Sequence, residues 1–485
     1  MRRGAVPVSA GLGALATLGA SDALPAVLEL VSGEATSTRL EAIRAARELL
    51  DPSRPDGRAV DPLVDALAEP GITLEERAGM LELLGRAGSP RGAPTLIAHA
   101  KDKQAAVRRA VFVALGNLSE GSAAIDAALA TALDDDIGAL RTEAAIALSR
   151  VGTPAVAPVL LDRLLKSAEQ DRGAVGLALA GVVGRSTDAA LAKRVGGAVA
   201  AAPSSARDAL IEGLGRMQSP EALTQLAGLA GGALDDKRKL AEALAGHGDE
   251  GRTLARALAN DPDAAVRANA TWTLGFVGEA ADAKLLGGLI RDPDAAVSGN
   301  AAASLGRLAE RAKKADLAAP LCKALADGRA YVRANALAGL DLAGAACGPD
   351  VVAKLLADDP SDVVRAGAAR HLHRVGGKPA TAALRRCRSE ERVHRVAELC
   401  ETRSPPTGGA GSAVTVGASR TFPLVVFVVP DGGHEPKARA PFALVLPDGT
   451  MRLGLADRRG AVFEAKVPEG DVELAVPAPL AIQRP

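Results

Sequence analysis

Asp261-Pro262-Asp263-Ala264-Ala265-Val266-Arg267-Ala268-Asn269-Ala270 reads as a tight turn running into a helix. Asp and Pro cap and start the helix, and Gly278 stops it, so a second helix is predicted over 264–277. Upstream, 250–260 is amphipathic and supplies the first helix of the pair. On the second helix Val266, Ala270, Thr273, Leu274 and Val277 share one stripe at the helical period. The turn returns as Asp292-Pro293-Asp294, Asp327-Gly328-Arg329 and Asp359-Pro360-Ser361.

The closing position of each pair recurs at Leu84, Leu115, Leu148, Ala180, Leu214, Leu244, Leu274, Leu305, Leu340 and Leu372. The spacing is about thirty-two residues, the mark of a solenoid whose units touch only their neighbours. About twelve helix pairs are expected between residues 22 and 402. The stretch from Gln170 to His247 lacks the turn aspartate and carries extra glycines, which marks a bend or a drift of the repeat. A mostly α fold follows, an α-α superhelix over 1–403. Ser404 to Ser412 is a Pro/Gly/Ser linker. Residues 413–485 read as a small β-sandwich with its own core, from valine-rich runs such as Phe422 to Val429, Pro441 to Leu446 and Val472 to Val476.

Composition narrows the function. Hydrophobic residues make up 48% of the chain but aromatics only 2%, so Ala, Leu, Val and Gly build the core and leave little room for a small-molecule cavity. Lys plus Arg and Asp plus Glu both number 58, giving no overall pull toward nucleic acid. No apolar stretch is long enough to span a membrane as a helix. Cys322, Cys347, Cys387 and Cys400 form no Cys-x-x-Cys pair and are expected to be reduced, which places the chain in the cytoplasm. The opposing sign is the N-terminus, where Met1-Arg2-Arg3 and a small apolar run to Ala23 imitate a signal peptide for a periplasmic or secreted protein.

The pattern Asp261-x-x-x-x-Val266-Arg267-x-x-Ala270 resembles HEAT repeats, specifically the short kind of phycobilisome-type bilin lyases. Its counterparts are Asp102/Arg108, Asp135/Arg141, Asp327/Arg333 and Asp359/Arg365, with Ser298 replacing the arginine once. Phe442 to Pro477 resembles a carboxypeptidase-regulatory or transthyretin-like module, through Leu446-Pro447-Asp448-Gly449, Asp457-Arg458-Arg459-Gly460 and Val467-Pro468-Glu469-Gly470. Such modules imply structural or adhesive roles, often outside the cytoplasm.

Candidate residues follow from helical position. Arg77, Arg108, Arg141, Arg207, Lys237, Arg267, Arg333 and Arg365 sit just off the apolar stripe. Alternating with turn aspartates, they are expected to tie neighbouring repeats together, each Arg bonding an Asp, in preference to binding an anion. Asn269, Asn300 and Asn335, three after the valine, are expected to bond the backbone of the adjacent repeat.

Trp272 lies about 150° from the centre of the stripe. Its row also holds Glu82, Val113, Ile146, Glu212, Glu242, Ala303, Ala338 and Arg370. That row should face another protein, with Trp272, Glu212 and Glu242 as contacts, unless Trp272 folds sideways over Ala303. The basic end, with Arg370, Arg374, Arg385, Arg386 and Arg388, is a second candidate contact or a solvated cap. His371 and His373 are spaced poorly for chelation, so no metal is expected. No catalytic residue or cofactor is identified. A HEAT-like iron hydroxylase would need more His-Glu pairs than His434-Glu435, and a bilin lyase more aromatics. The expectation is a monomeric, non-enzymatic scaffold that binds another protein.

Overall fold

The computed structural model describes residues 7–33, 36–401, 421–429, 433 and 435–475. The linker 404–412, Met1 to Arg3 and His434 lie outside them. The described chain is a solenoid of helix pairs followed by a small β region. In most pairs a short helix, often entered through a 3-10 turn, precedes a longer one; the last pair reverses this, Gly377–Glu390 preceding the short His394–Leu399. Ala264–Val277 is the longer helix of the diagnostic stretch, with Gly278 at its C-cap. Asp263 accepts a hydrogen bond from the Val266 amide, and Asp261 from the Asp263 amide, so the two turn aspartates satisfy amides that the helix leaves orphaned. The preceding helix, expected from Glu250, begins at Arg252. Gly248, with φ of 54°, kinks the segment before it.

The chain forms two compact units. The first comprises Met1–Gly213 with Met217–Ser219, the second Leu214–Arg216 with Pro220–Pro485. The division falls inside the stretch that lacks the turn aspartate.

Within each unit the basic row lies against turn carboxylates. In the first, Arg108 grips Asp135 in a two-pronged pair at 2.6 and 3.0 Å and also donates to the Asp102 carbonyl of its own turn. Arg77 reaches Asp102 at 3.6 Å, and Arg141 pairs with Asp171 at 3.1 Å. In the second, Lys237 meets Asp261, Arg267 meets Asp292, Arg333 meets Asp359, and Arg365 meets Glu391. Arg267, Arg333 and Arg365 each donate as well to a carbonyl of their own turn, Asp261, Asp327 and Asp359 respectively. One guanidinium therefore closes its own turn and holds the next, which a lysine cannot do with the same fork.

At Ser298 the rung changes hands. Arg329, from the following turn, pairs with Asp327 and reaches back to the Asp292 carbonyl and the Ser298 hydroxyl. Arg207 bonds the Ala200 and Ala202 carbonyls of its own turn.

Helices in the second unit approach closely. A Cβ on Gly306 would lie 2.2 Å from the Gly339 Cα, so only glycine lets these two longer helices meet. A Cβ on Gly299 would overlap the Tyr331 ring, which occupies the space that the glycine leaves.

Two small antiparallel sheets make the β region. Strand β1 (Thr421–Phe427) pairs with β4 (Ala461–Pro468), and the second sheet runs β3 (Met451–Leu455), β2 (Pro441–Val445), β5 (Glu473–Ala475). Their core is not their own, contrary to the expectation above. Phe442, Leu444, Leu446, Val462 and Val467 form a single buried cluster with Trp272 and Ala303 of the repeats. The module has too few apolar residues to close a core, and the repeats supply the missing wall.

The four cysteines are paired, which corrects the reduced reading. Cys322 bonds Cys347 and Cys387 bonds Cys400, with Cα separations of 5.6 and 6.0 Å. Helix pairing brings together positions 25 and 13 residues apart, a proximity that linear spacing hides. Among the described residues no helix is long and apolar enough to cross a membrane.

Candidate interaction face

Four longer helices of the second unit, Leu234–Ala243, Ala264–Val277, Ala295–Ala312 and Ala330–Leu342, each offer two residues, three apart, on the face that meets the β module. They are Lys239 and Glu242, Asn269 and Trp272, Asn300 and Ala303, Asn335 and Ala338. All eight are buried. The part of the expected row that runs from Glu242 to Ala338 is thus covered by the chain's own C-terminal module.

The asparagines read a strand edge. Asn335 accepts from the Met451 amide at 2.7 Å and donates to the Met451 carbonyl at 2.8 Å. Asn300 treats Leu453 the same way, at 3.3 and 3.2 Å. A carboxamide presents one donor and one acceptor side by side, so each asparagine substitutes for a neighbouring strand's peptide along β3. The expected bonds to the adjacent repeat are also present, from Asn269 to Arg238, Asn300 to Ala268 and Asn335 to Gly299. Between the two pairs stands the Tyr331 hydroxyl, 3.0 Å from both the Leu453 amide and the Met451 carbonyl. Burial pushes its phenol well above the ordinary value, so it remains a hydrogen-bond donor.

Arg452, between the two paired residues, points into a buried charge cluster. It donates to Glu464 at 2.6 Å and to Glu242 and Asn269, each at 3.1 Å. Burial alone would lower its affinity for the proton, but the Glu464 and Glu242 charges outweigh this and raise it. Glu242 also accepts from the Phe463 amide at 2.9 Å and pairs with Lys239 at 2.7 Å. Lys239 in turn lies 3.2 Å from Asp457, whose partner within the module is Arg459.

Trp272 is doubly engaged. Its indole N–H donates to Glu464 at 3.0 Å, and the Arg307 guanidinium lies 4.1 Å above its ring. Arg307 continues to Asp448 at 3.0 Å and to the Thr450 hydroxyl. Burial works to raise the Asp448 carboxyl, but Arg307 and the Thr450 hydrogen bonds prevail and hold it below the usual carboxylate range. Arg458 meets the buried Asp236 at 2.8 Å, and nearer the surface Arg439 meets Asp235.

The remaining candidates sit elsewhere. Glu212 is fully buried in the first unit, which corrects its reading as a surface contact, since the helix Ser204–Arg216 turns it inward. At the basic end Arg370, Arg385 and Arg386 are exposed, whereas Arg374 pairs with Asp341 and Arg388 with Glu401. His371 bonds Asp341 and His373 bonds the Leu399 carbonyl. No cluster of metal-ligating residues occurs among the described residues.

Sequence reasoning singled out Trp272, Glu242 and the asparagines but not Arg307, Tyr331, Arg452 or Glu464. Arg452 and Glu464 lie on strands where alternation makes a charged residue look solvent-facing.

The HEAT-repeat family matches residues 235–306 and 251–340, the very repeats that hold the module. Among solved structures, yeast importin-beta is 13% identical with a TM-score of 0.38, and importin beta in an ammonium sulfate condition is 12% identical with a TM-score of 0.39. In both comparisons 79% of this chain is covered, and the chain spans only 62% of the importin chain. An engineered protein is 19% identical over 78% of this chain and 97% of its own, with a TM-score of 0.28. Among curated proteins none matches.

Proposed function

We propose that the chain is a non-enzymatic protein-interaction scaffold whose second unit holds its own β module as a fixed head. The carrying observation is the double engagement of β3: backbone paired by Asn300 and Asn335, and Arg452 buried among Glu242, Asn269 and Glu464. The division into repeats 1–403, linker 404–412 and module 413–485 stands in this proposal, with the module and repeats 235–340 acting as one folding unit. For the module we propose the structural or adhesive kind of role that its carboxypeptidase-regulatory resemblance implies.

A separate protein is then left accessible row positions of the first unit, Glu82, Val113 and Ile146, the last 37% exposed. The test is cross-linking and co-purification of the tagged native protein beside its Ile146→Glu variant. A stoichiometric partner kept by the first and lost by the second, at equal stability, is expected. No partner, or one indifferent to Ile146→Glu, defeats the reading.

A second reading concerns compartment. Paired Cys322–Cys347 and Cys387–Cys400 favour an oxidising location, hence an exported or envelope-associated component. Thiol labelling of the freshly isolated protein without reductant is expected to find no reactive cysteine in the native or the denatured chain. Labelling of all four would return the chain to the cytoplasm.

A further inference from the structure

We propose that the strand-reading face exchanges modules between copies, so that the partner it fits is the β module of a second copy of this chain. The inference rests on the docked module of the preceding section and adds a ligand in trans. Three observations carry it. First, neither half is complete alone. Undocked, the module would expose the cluster that Trp272 and Ala303 close, and would strand Glu464 away from Trp272. The bare face would leave Asn300, Asn335 and Tyr331 without the Met451 and Leu453 backbone groups. An unpaired strand edge beside apolar surface invites another chain.

Second, the complementarity is narrow. The face needs an extended backbone, one arginine between two paired residues, an acidic group under the Trp272 indole and a carboxylate for Arg307. Met451-Arg452-Leu453 with Glu464 and Asp448 meets all four needs, and every copy of the chain carries them. Third, the contacts join residues 116 to 222 positions apart, so nothing local in the chain requires that face and module belong to one copy. Reciprocal exchange would bury the same groups twice and close as a two-fold dimer.

The test exchanges rim charges. One variant carries Asp235→Arg and Asp236→Arg on the face, another Arg439→Asp and Arg458→Asp on the module. Each alone sets like charges against each other. Mixed, the reversed face meets the reversed module, and the native face meets the native module. Purified separately, both are expected to run as monomers. Mixed, they should convert to a one-to-one heterodimer by light scattering and native mass spectrometry. A chain with all four substitutions serves as the control and is expected to fold with its module docked, melting below the wild type because the Asp235–Arg238 pair within the face is lost. A mixture that stays monomeric while that control is stable overturns the proposal. Should the single-sided variants fail to fold, wild-type chains with two different tags are unfolded and refolded together. Mixed-tag dimers support the exchange, and their absence overturns it. Only the purified chain is used, so this result is independent of whether the scaffold has a foreign partner.

Discussion

The two units carry the same helix pair and different faces. In the first, the paired positions are Gly79 and Glu82, Ala110 and Val113, Glu143 and Ile146; in the second, Lys239 and Glu242, Asn269 and Trp272, Asn300 and Ala303, Asn335 and Ala338. In the first unit Glu82 and Val113 are half-buried and Ile146 exposed, with Glu212 near its end buried, whereas all eight of these second-unit residues are buried. The period sets where a side chain stands, and its chemistry sets what it holds. Carboxamides that match a peptide turn a helical row into a receptor for a strand edge.

The comparison breaks most sharply at its charges. Arg452→Ala would leave Glu464 buried with only the Trp272 indole and Glu242 with only Lys239 of its cations, and should cost about 3–5 kcal/mol in urea unfolding. Trp272→Ala, which removes a core side chain and an indole bond, should cost about 3–5 kcal/mol. Ile146→Ala, at the equivalent row position of the first unit, should stay within about 0.5 kcal/mol. Equal losses at Trp272 and Ile146 would erase the distinction between the faces.

Asn335→Ala should cost about 1–3 kcal/mol, since it strands the Met451 amide and leaves the Met451 carbonyl to the Tyr331 hydroxyl alone. Arg333→Ala should cost about 1–3 kcal/mol through its fork to Asp359, but without loosening the module. A loosened module in Arg333→Ala, read as faster exchange of the Met451 amide, would mean that the repeat ladder and the docking are one system.

Acid should act on the docked unit. Asp448 and Asp457 titrate below the ordinary carboxylate range, because Arg307, and Arg459 with Lys239, overcome the upward push of burial. Their stabilisation is complete above the unfolded carboxyl value, about 4, and is lost as pH falls through the lower folded values. The urea midpoint of the second unit should therefore fall between pH 5 and pH 2. A midpoint that rises over that interval would contradict the assignment.

Much of this was legible in the sequence, for physical reasons. Asp261-Pro262-Asp263 and Gly278 bound a helix by local capping, and the Val266 stripe repeats because each unit buries the same face. Trp272 and Glu242 stood out because a helical period assigns them to one row. The occupant of that row was not legible. It is set by β3 and β4, where Arg452 and Glu464 alternate with apolar residues and resemble a solvated face. The disulfides escaped for a like reason, since Cys322 and Cys347 meet only after the intervening helix packs back.

Native-state hydrogen exchange on the full chain tests the central claim, that β3 and the Trp272 helix belong to one cooperative unit. The Met451 and Leu453 amides, bonded to Asn335 and Asn300, should open with the same free energy as the amides of Ala264–Val277. Rapid exchange at Met451 and Leu453 while that helix stays protected would contradict it and leave the module as a loosely held appendage.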